Sequence, residues 1–284
     1  MTAPPTTTED TTMTTTELTL PTGPASAPST ITSRRHLSGL PAVLRSEWIK
    51  STTVRTNKTI LAVAAVVGLL TAWATAVFVT DQVLTVAEVA TYPTLLTAVL
   101  AAIAGVLLFS SEAQHGTLAG ALTAHPARWP VVVAKAVVAA GVGLVLGVIG
   151  LLTGFAGALA GGLELGETSG TASTVLWALL YTAGSAVLGL GVGMVVRHSA
   201  GAVSGVLVWW LVVESLIVQF APAEVVRFVP FDTGWRSLGI ESDFDIPEIV
   251  AAGLSNPLHA SIFWGYVVAA LAVGSVLLHR HDID

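Results

Sequence analysis

One acidic side chain, Glu214, interrupts the apolar stretch VLVWWLVVESLIVQ. A carboxylate inside a bilayer costs a few kcal/mol, so we expect it to face other helices, a cavity or a partner chain. Two interpretations stay open: Glu214 lines a pathway through the membrane, or it lies near the outer boundary, hydrogen-bonded to a neighbouring hydroxyl. Gln219, Thr182 and Ser185 are further polar candidates for lining such a pathway.

The residue patterns of common catalytic and metal sites are missing from the sequence. A nucleotide-binding P-loop needs a Lys directly after Gly, and Lys50, Lys58 and Lys135 follow other residues. The chain has no Cys and no HExxH motif, which removes thiolate nucleophiles, Cys zinc sites and the commonest zinc protease site. We therefore predict no catalytic residues, no metal site and no cofactor held by this chain.

The composition is typical of an integral membrane protein. Charged residues make up 11% of the 284 residues, where a soluble domain has about 25%. The hydrophobic fraction is 53% and the mean hydropathy is +0.78. The net charge of −6 argues against a nucleic-acid partner, because phosphate binding needs clustered Lys and Arg.

The elements that must position these side chains are predicted to be membrane-spanning helices. A span of the ~30 Å hydrocarbon core needs about 20 apolar residues. Six stretches meet this requirement: about 59–80, 93–110, 131–160, 171–196, 200–221 and 260–278. Glycines at four-residue spacing, such as Gly143 with Gly147, predict close packing between helices. We predict an all-α integral membrane fold whose six transmembrane helices occupy 59–280.

Two further segments precede the first span. Residues 1–38 are rich in Thr and Pro and predict a disordered cytoplasmic tail. Residues 39–58 place apolar side chains on one helical stripe, with basic neighbours elsewhere, which predicts a cytoplasmic amphipathic helix at the membrane interface. The residues of the stripe are Leu40, Val43, Leu44 and Trp48.

The distribution of basic residues predicts the orientation, because cytoplasmic loops carry an excess of Lys and Arg. On one side of the predicted membrane lie Arg34, Arg35, Arg45, Lys50, Arg55, Lys58, Arg128, Lys135, Arg197 and Arg280. The opposite loops contain only Arg227 and Arg236. Both termini are therefore predicted to be cytoplasmic.

The segment SSEAQHGTLAGALTAHPARWPVVVAKA, residues 110–136, resembles the cytoplasmic loop of six-span permeases of the ABC exporter family. In that loop an acid closes the second span, Gly-Thr follows, and a short helix leads to Pro and basic residues. The matching positions are Glu112, Gly116, Thr117, Leu122, Pro126, Arg128 and Lys135. Gln114 departs from the basic residue that the family often carries there. The segment LRSEWIKSTTVRTNK is also similar to the family's entry helix.

This resemblance implies a permease subunit in a bacterial inner (cytoplasmic) membrane, without catalysis of its own. Residues 111–130 would form a coupling loop that docks on a separate ABC ATPase subunit, which binds ATP and Mg. A second permease chain would complete the substrate pathway; a homodimer is the economical arrangement, and a heterodimer stays open. An ordinary membrane-surface loop is the alternative for 111–130.

The long connection between spans five and six, 222–259, is predicted to lie on the outer side. In permeases of this family the corresponding stretch often forms short helices that dip into the outer leaflet. Phe231 and Trp235 are our candidates for an outer gate, with a surface-packed loop as the alternative.

Two other functional classes remain open. One is a stand-alone secondary transporter, which usually has several ionisable groups at mid-membrane and internal repeats. The other is a non-transporting membrane anchor or immunity protein, which needs only its helices. The sequence leaves the cargo open.

Overall fold

The structure is a computed structural model and describes residues 40–79, 84–116, 129–166, 170–239 and 254–280. These residues form helices joined by turns, and no strand occurs among them. The predicted all-α fold is thereby confirmed. The predicted tail, 1–38, and residues 117–128 of the predicted coupling loop lie outside the described residues.

Among the described residues, six helices are long and apolar enough to cross a membrane, as the sequence predicts. They are α2 (Arg55–Phe78), α4 (Thr94–Gln114), α5 (Trp129–Ala160), α6 (Thr171–Val196), α7 (Ser199–Phe220) and α10 (Asn256–Arg280). The third span, α5, has 32 residues, about 48 Å at 1.5 Å per residue. It therefore has to tilt or extend beyond the hydrocarbon core.

In the described part of the chain, four shorter helices flank the spans: α1 (Leu40–Thr53), α3 (Val86–Val89), α8 (Ala223–Val226) and α9 (Pro230–Arg236). Val54 separates α1 from α2, because its backbone is extended (φ −69°, ψ 127°). Residues 40–58 of the predicted interfacial segment are thus divided between α1 and the start of α2. Its location at a membrane surface stays a prediction.

Helices α4 and α6 form the centre of the described bundle. In the most apolar 18-residue window of each span, 72% of the window is buried in α6 and 61% in α4, whereas only 17% is buried in α7. The two central helices pack closely because glycines replace side chains at their contact. A Cβ atom added at Gly105 of α4 would collide with the carbonyl oxygen of Ala186, and one at Gly189 of α6 with that of Ala102.

The glycines of α5 contact three neighbouring helices in turn. Gly143 lies against Thr182 of α6, Gly150 lies against Thr97 of α4, and Gly157 lies against the backbone of α2. The sequence prediction that these glycines allow close helix packing is confirmed. Small residues do this in membrane proteins because lipid supplies no hydrophobic force between helices, so contact distance decides how strongly they attract.

We expect Gly105→Ala to destabilise the bundle by about 1–3 kcal/mol, because the new methyl group has to push α4 and α6 apart. Thermal unfolding of the purified chain in detergent measures the effect. Gly265→Ala is the matched control, since no atom lies within 4 Å of its added Cβ. Equal unfolding temperatures for the two variants would contradict the tight contact between α4 and α6.

Candidate functional site

A buried ion network joins α1, α4 and α5. One face of α1 points into the bundle and carries Val43, Glu47 and Ser51, at four-residue spacing. Only 2% of Glu47 is exposed. The predicted apolar stripe is therefore only part of the contact face. Trp48, which follows Glu47 in the sequence, is 42% exposed, and its ring lies against Gly141 of α5.

The ammonium group of Lys135 is the centre of this network. Its Nζ atom donates to Glu47 Oε2 at 2.7 Å and to Glu112 Oε2 at 2.8 Å. The carbonyl oxygen of Leu108 lies 3.5 Å away. The Lys135 side chain is 1% exposed, so water does not replace these partners. A buried charge is stable only when it is paired and hydrogen-bonded, and both conditions hold here.

Lys50 completes the network and balances its charge. Its Nζ atom lies 2.7 Å from Glu47 Oε1 and 3.6 Å from Glu112 Oε1. Two carboxylates and two ammonium groups thus alternate. We call these four residues the Lys135 network, and the end of the bundle where they lie the network end.

The electrostatics of α1 follow from this pairing. Burial alone would raise the pKa of Glu47, but the ammonium groups of Lys135 and Lys50 lower it below its ordinary value. Burial alone would lower the pKa of Lys50, whereas its hydrogen bond to Glu47 and the attraction of Glu112 raise it. Both groups are therefore charged near neutral pH.

The structure places two of the predicted coupling residues. Glu112 belongs to the Lys135 network, close to the end of α4. Gly116 lies beyond that end with a positive φ of 70°, a conformation that favours Gly, and a Cβ there would meet no atom within 4 Å. Thr117, Leu122, Pro126 and Arg128 lie outside the described residues. Next to the network a recess of about 330 Å³ opens between α1, α2 and α4.

At the opposite end, the carboxylate of Glu214 holds the segment that follows α7. Oε1 accepts hydrogen bonds from the indole nitrogen of Trp209 at 2.8 Å and from the backbone N–H of Phe231 at 3.0 Å. Oε2 accepts from the N–H of Asp232 at 3.2 Å. Both amides belong to the first turn of α9, whose N–H groups have no partner within the helix. We call this the Glu214 clamp, and its end of the bundle the clamp end.

Local backbone geometry brings Glu214 to this position. Residues Trp209–Glu214 form a π-helical turn within α7, a rare geometry that is frequent at functional sites. Glu214 is buried, and its partners are an indole and two backbone amides, not the neighbouring hydroxyl considered from the sequence. The clamp therefore satisfies this carboxylate within the protein.

The two candidate gate residues have different surroundings. Phe231 is 2% exposed, and its carbonyl oxygen accepts a hydrogen bond from Tyr181 of α6 at 3.1 Å. The Tyr181 ring packs edge-on against Phe263 of α10, with centroids 5.1 Å apart. Trp235, at the far end of α9, is half-buried.

Three of the predicted residues meet in one recess at the clamp end. This recess has a volume of about 320 Å³ and is lined by Glu214 and Gln219 of α7 and by Trp235, together with Leu95 of α4 and Trp210. Gln219 is exposed. The structure thus brings together polar residues of the fifth span and a candidate gate residue.

The other two pathway candidates, Thr182 and Ser185, lie elsewhere. Both side chains are fully buried in α6. The Thr182 hydroxyl donates to backbone oxygens of its own helix and packs against Gly147 of α5. The Ser185 hydroxyl has no hydrogen-bond partner among the residues that the structure describes. Neither side chain lines the recess at the clamp end.

Comparison with known proteins assigns no family to this chain. No protein-family model matches the sequence. No curated protein matches it significantly. The resemblance to ABC exporter permeases therefore stays a prediction from the residues of the loop and the entry helix.

We expect Lys135→Met to destabilise the fold by about 3–5 kcal/mol, because it leaves the buried Glu47 with one ammonium partner, Lys50, in place of two. Adding Glu47→Gln should recover part of this loss, since the remaining Lys50 and Glu112 balance each other. Lys58→Met is the control, because Lys58 is exposed. Unfolding in detergent measures all three variants, and equal losses for Lys135→Met and Lys58→Met would contradict the network.

A comparison of the wild type with Glu47→Gln at different pH tests the charge of Glu47. Its pKa is lowered in the folded state, so the ionised carboxylate stabilises the fold above its unfolded-state pKa of about 4.3. This contribution is lost as the pH falls through the folded-state pKa. The difference in stability between the wild type and Glu47→Gln should therefore shrink in acid.

We expect Glu214→Gln to loosen α9, because the amide NH₂ would face a backbone N–H in place of an acceptor oxygen. The loss of a hydrogen bond to a charged group is worth about 1.5–3 kcal/mol. Hydrogen exchange at Phe231 and Asp232 should become faster, whereas Gln219→Ala should leave it unchanged. Unchanged exchange in Glu214→Gln would mean that the carboxylate does not hold the segment.

Proposed function

We propose that this multi-pass membrane protein is the transmembrane permease subunit of an ATP-driven ABC exporter. The observation that carries the proposal is the pairing of Glu112 with Lys135. These residues stand on either side of 117–128, the central part of the loop that resembles the family's coupling segment. The two ends of that loop are thus joined by an ion pair whose ammonium group is buried.

The network offers a physical route by which a movement of the loop would be transmitted to the membrane spans. Because Lys135 also binds Glu47, the end of α4, the start of α5 and the helix α1 are tied to one another. A nucleotide-binding subunit that docks on the loop would move these three elements together. Flexible attachment would dissipate the same movement, so the buried pairs suit a mechanical role.

The recess at the clamp end supports a pathway along α7. Gln219 and Ser215 are exposed on this span, next to the buried Glu214, and exposure of polar groups to lipid is unfavourable. A second permease chain would cover this surface and complete the pathway between the two copies. Trp235 lines the recess and stays our candidate for the outer gate.

Location and energy source follow from the same proposal. The excess of Lys and Arg at the network end supports an orientation in which that end, with both termini, faces the cytoplasm of a bacterial cell. ATP and Mg bind to the partner subunit, since this chain has no P-loop sequence. The chain itself supplies the pathway and the contact through which the movement is transmitted.

Co-expression of the tagged chain with candidate ATPases should give a stable, stoichiometric complex. Deleting 117–124 should abolish co-purification, because it removes the proposed docking segment. Deleting 2–31, outside the region of resemblance, is the control and should leave the complex intact. Retention of the ATPase by the loop deletion would contradict the coupling role.

Two further outcomes would separate the proposal from its alternatives. The chain has no Cys, so a single Cys introduced at Ala119 can be labelled selectively. Labelling by an impermeant reagent outside intact cells would overturn the orientation. Solute movement by the purified chain alone, driven by an ion gradient, would indicate a secondary transporter.

A further inference from the structure

An apolar groove of about 460 Å³ lies between α6, α7 and α10. Leu188 and Val192 of α6, Val206 of α7, and Ala270 and Val273 of α10 contribute to its lining. This volume falls within the about 300–1,000 Å³ of typical ligand pockets. The groove is separate from the Lys135 network and from the recess at the clamp end.

The groove has two different ends along the membrane normal. Towards the clamp end it reaches Tyr266 and the first residues of α9, Pro230 and Phe231. Towards the network end it reaches Val195 and Val196, the last two residues of α6. It therefore extends from the start of α9 to the last residues of α6.

A cation stands directly beyond this second end. Arg197 follows Val196 in a left-handed conformation, and its Nη2 atom donates to the carbonyl oxygen of Leu277 on α10 at 3.2 Å. Among the described residues, no carboxylate forms an ion pair with Arg197. Arg280, exposed at the end of α10, adds a second positive charge at the network end.

One wall of the groove is open to an occupant. Gly205 of α7 lines the groove, and no atom lies within 4 Å of the position that a Cβ would take there. The absent side chain therefore leaves space that the described residues do not fill. An occupant in hydrocarbon has to be apolar along its length, because the lining offers almost exclusively aliphatic and aromatic groups.

We propose that the groove binds one acyl chain of an anionic phospholipid from the leaflet at the network end. The acyl chain would lie along Gly205 with its methyl end towards Phe231, and the phosphate would lie beside Arg197. Apolar lining accounts for the chain, and the cation at the open end accounts for the charge of the headgroup. The proposal is independent of any ATPase partner and of the direction of transport.

Lipid titrations of the purified full-length chain in detergent, followed by native mass spectrometry, test this site. The probes are dioleoylphosphatidylglycerol and dioleoylphosphatidylcholine. Gly205→Leu should weaken binding of both lipids by about tenfold or more, because its side chain occupies the groove. Gly205→Ala, which fills less space, should have a smaller effect. Gly265→Leu is the matched control, because its side chain also meets open space but lies outside the groove.

The headgroup contact is tested with Arg197→Asn, since Asn tolerates the left-handed backbone of this position. Binding of phosphatidylglycerol should weaken about fivefold, the effect of one cation near an anionic lipid, while binding of phosphatidylcholine should not change.

Two results would show that the groove contains only the lipid that surrounds any membrane protein. They are equal effects of Gly205→Leu and Gly265→Leu, and the absence of a preference of the wild type for phosphatidylglycerol. If Gly205→Leu instead changes the chain from a dimer to a monomer and leaves its lipid affinity unchanged, a second chain occupies the groove. Each of these results overturns the proposal.

Discussion

The ammonium group of Lys135, which has no access to water, is the interaction on which the network end of this protein depends. Its two carboxylate partners come from α1 and α4, so a single buried charge fixes the positions of three helices. Removing Lys135 or Glu47 leaves the network with an unbalanced charge at a position that is almost inaccessible to water. This explains why α1 packs against α5 although its buried face contains Glu47 and Ser51 beside Val43. Charge pairing supplements an apolar contact that would be weak alone.

The clamp end obeys the same constraint with different chemistry. Glu214 has no ammonium partner in its clamp; instead, an indole and two backbone amides donate to its carboxylate. The first turn of α9 in return gains acceptors for N–H groups that a helix cannot satisfy itself. Charged residues therefore connect elements at both ends, while small residues pack the helices between them. This division is expected in a bilayer, where polar attachment is strong and hydrophobic attraction between helices is absent.

The uneven burial of the spans has consequences for function. The central helices α4 and α6 are held by close backbone contacts, whereas most of α7 is exposed. Exposure of α7 creates two surfaces, the polar recess beside Glu214 and the apolar groove beside Gly205. They differ in the occupant that they suit. Polar groups of the recess favour a covering chain or a pathway, and the aliphatic groove with its terminal cation favours lipid.

The membrane class, the number of spans and the role of small residues could be predicted from the sequence, because apolar length and glycine spacing are properties of continuous segments. The sequence also identified Glu214 as a residue that needs partners, and Glu112 through a family resemblance. It did not reveal Glu47, which is 88 positions from Lys135, nor that Thr182 and Ser185 lie apart from the recess. These points became visible in the packing of the helices. An ion pair between distant positions, or a hydrogen bond to a backbone amide, depends on where helices cross. The local periodicity of the sequence contains no information about that crossing.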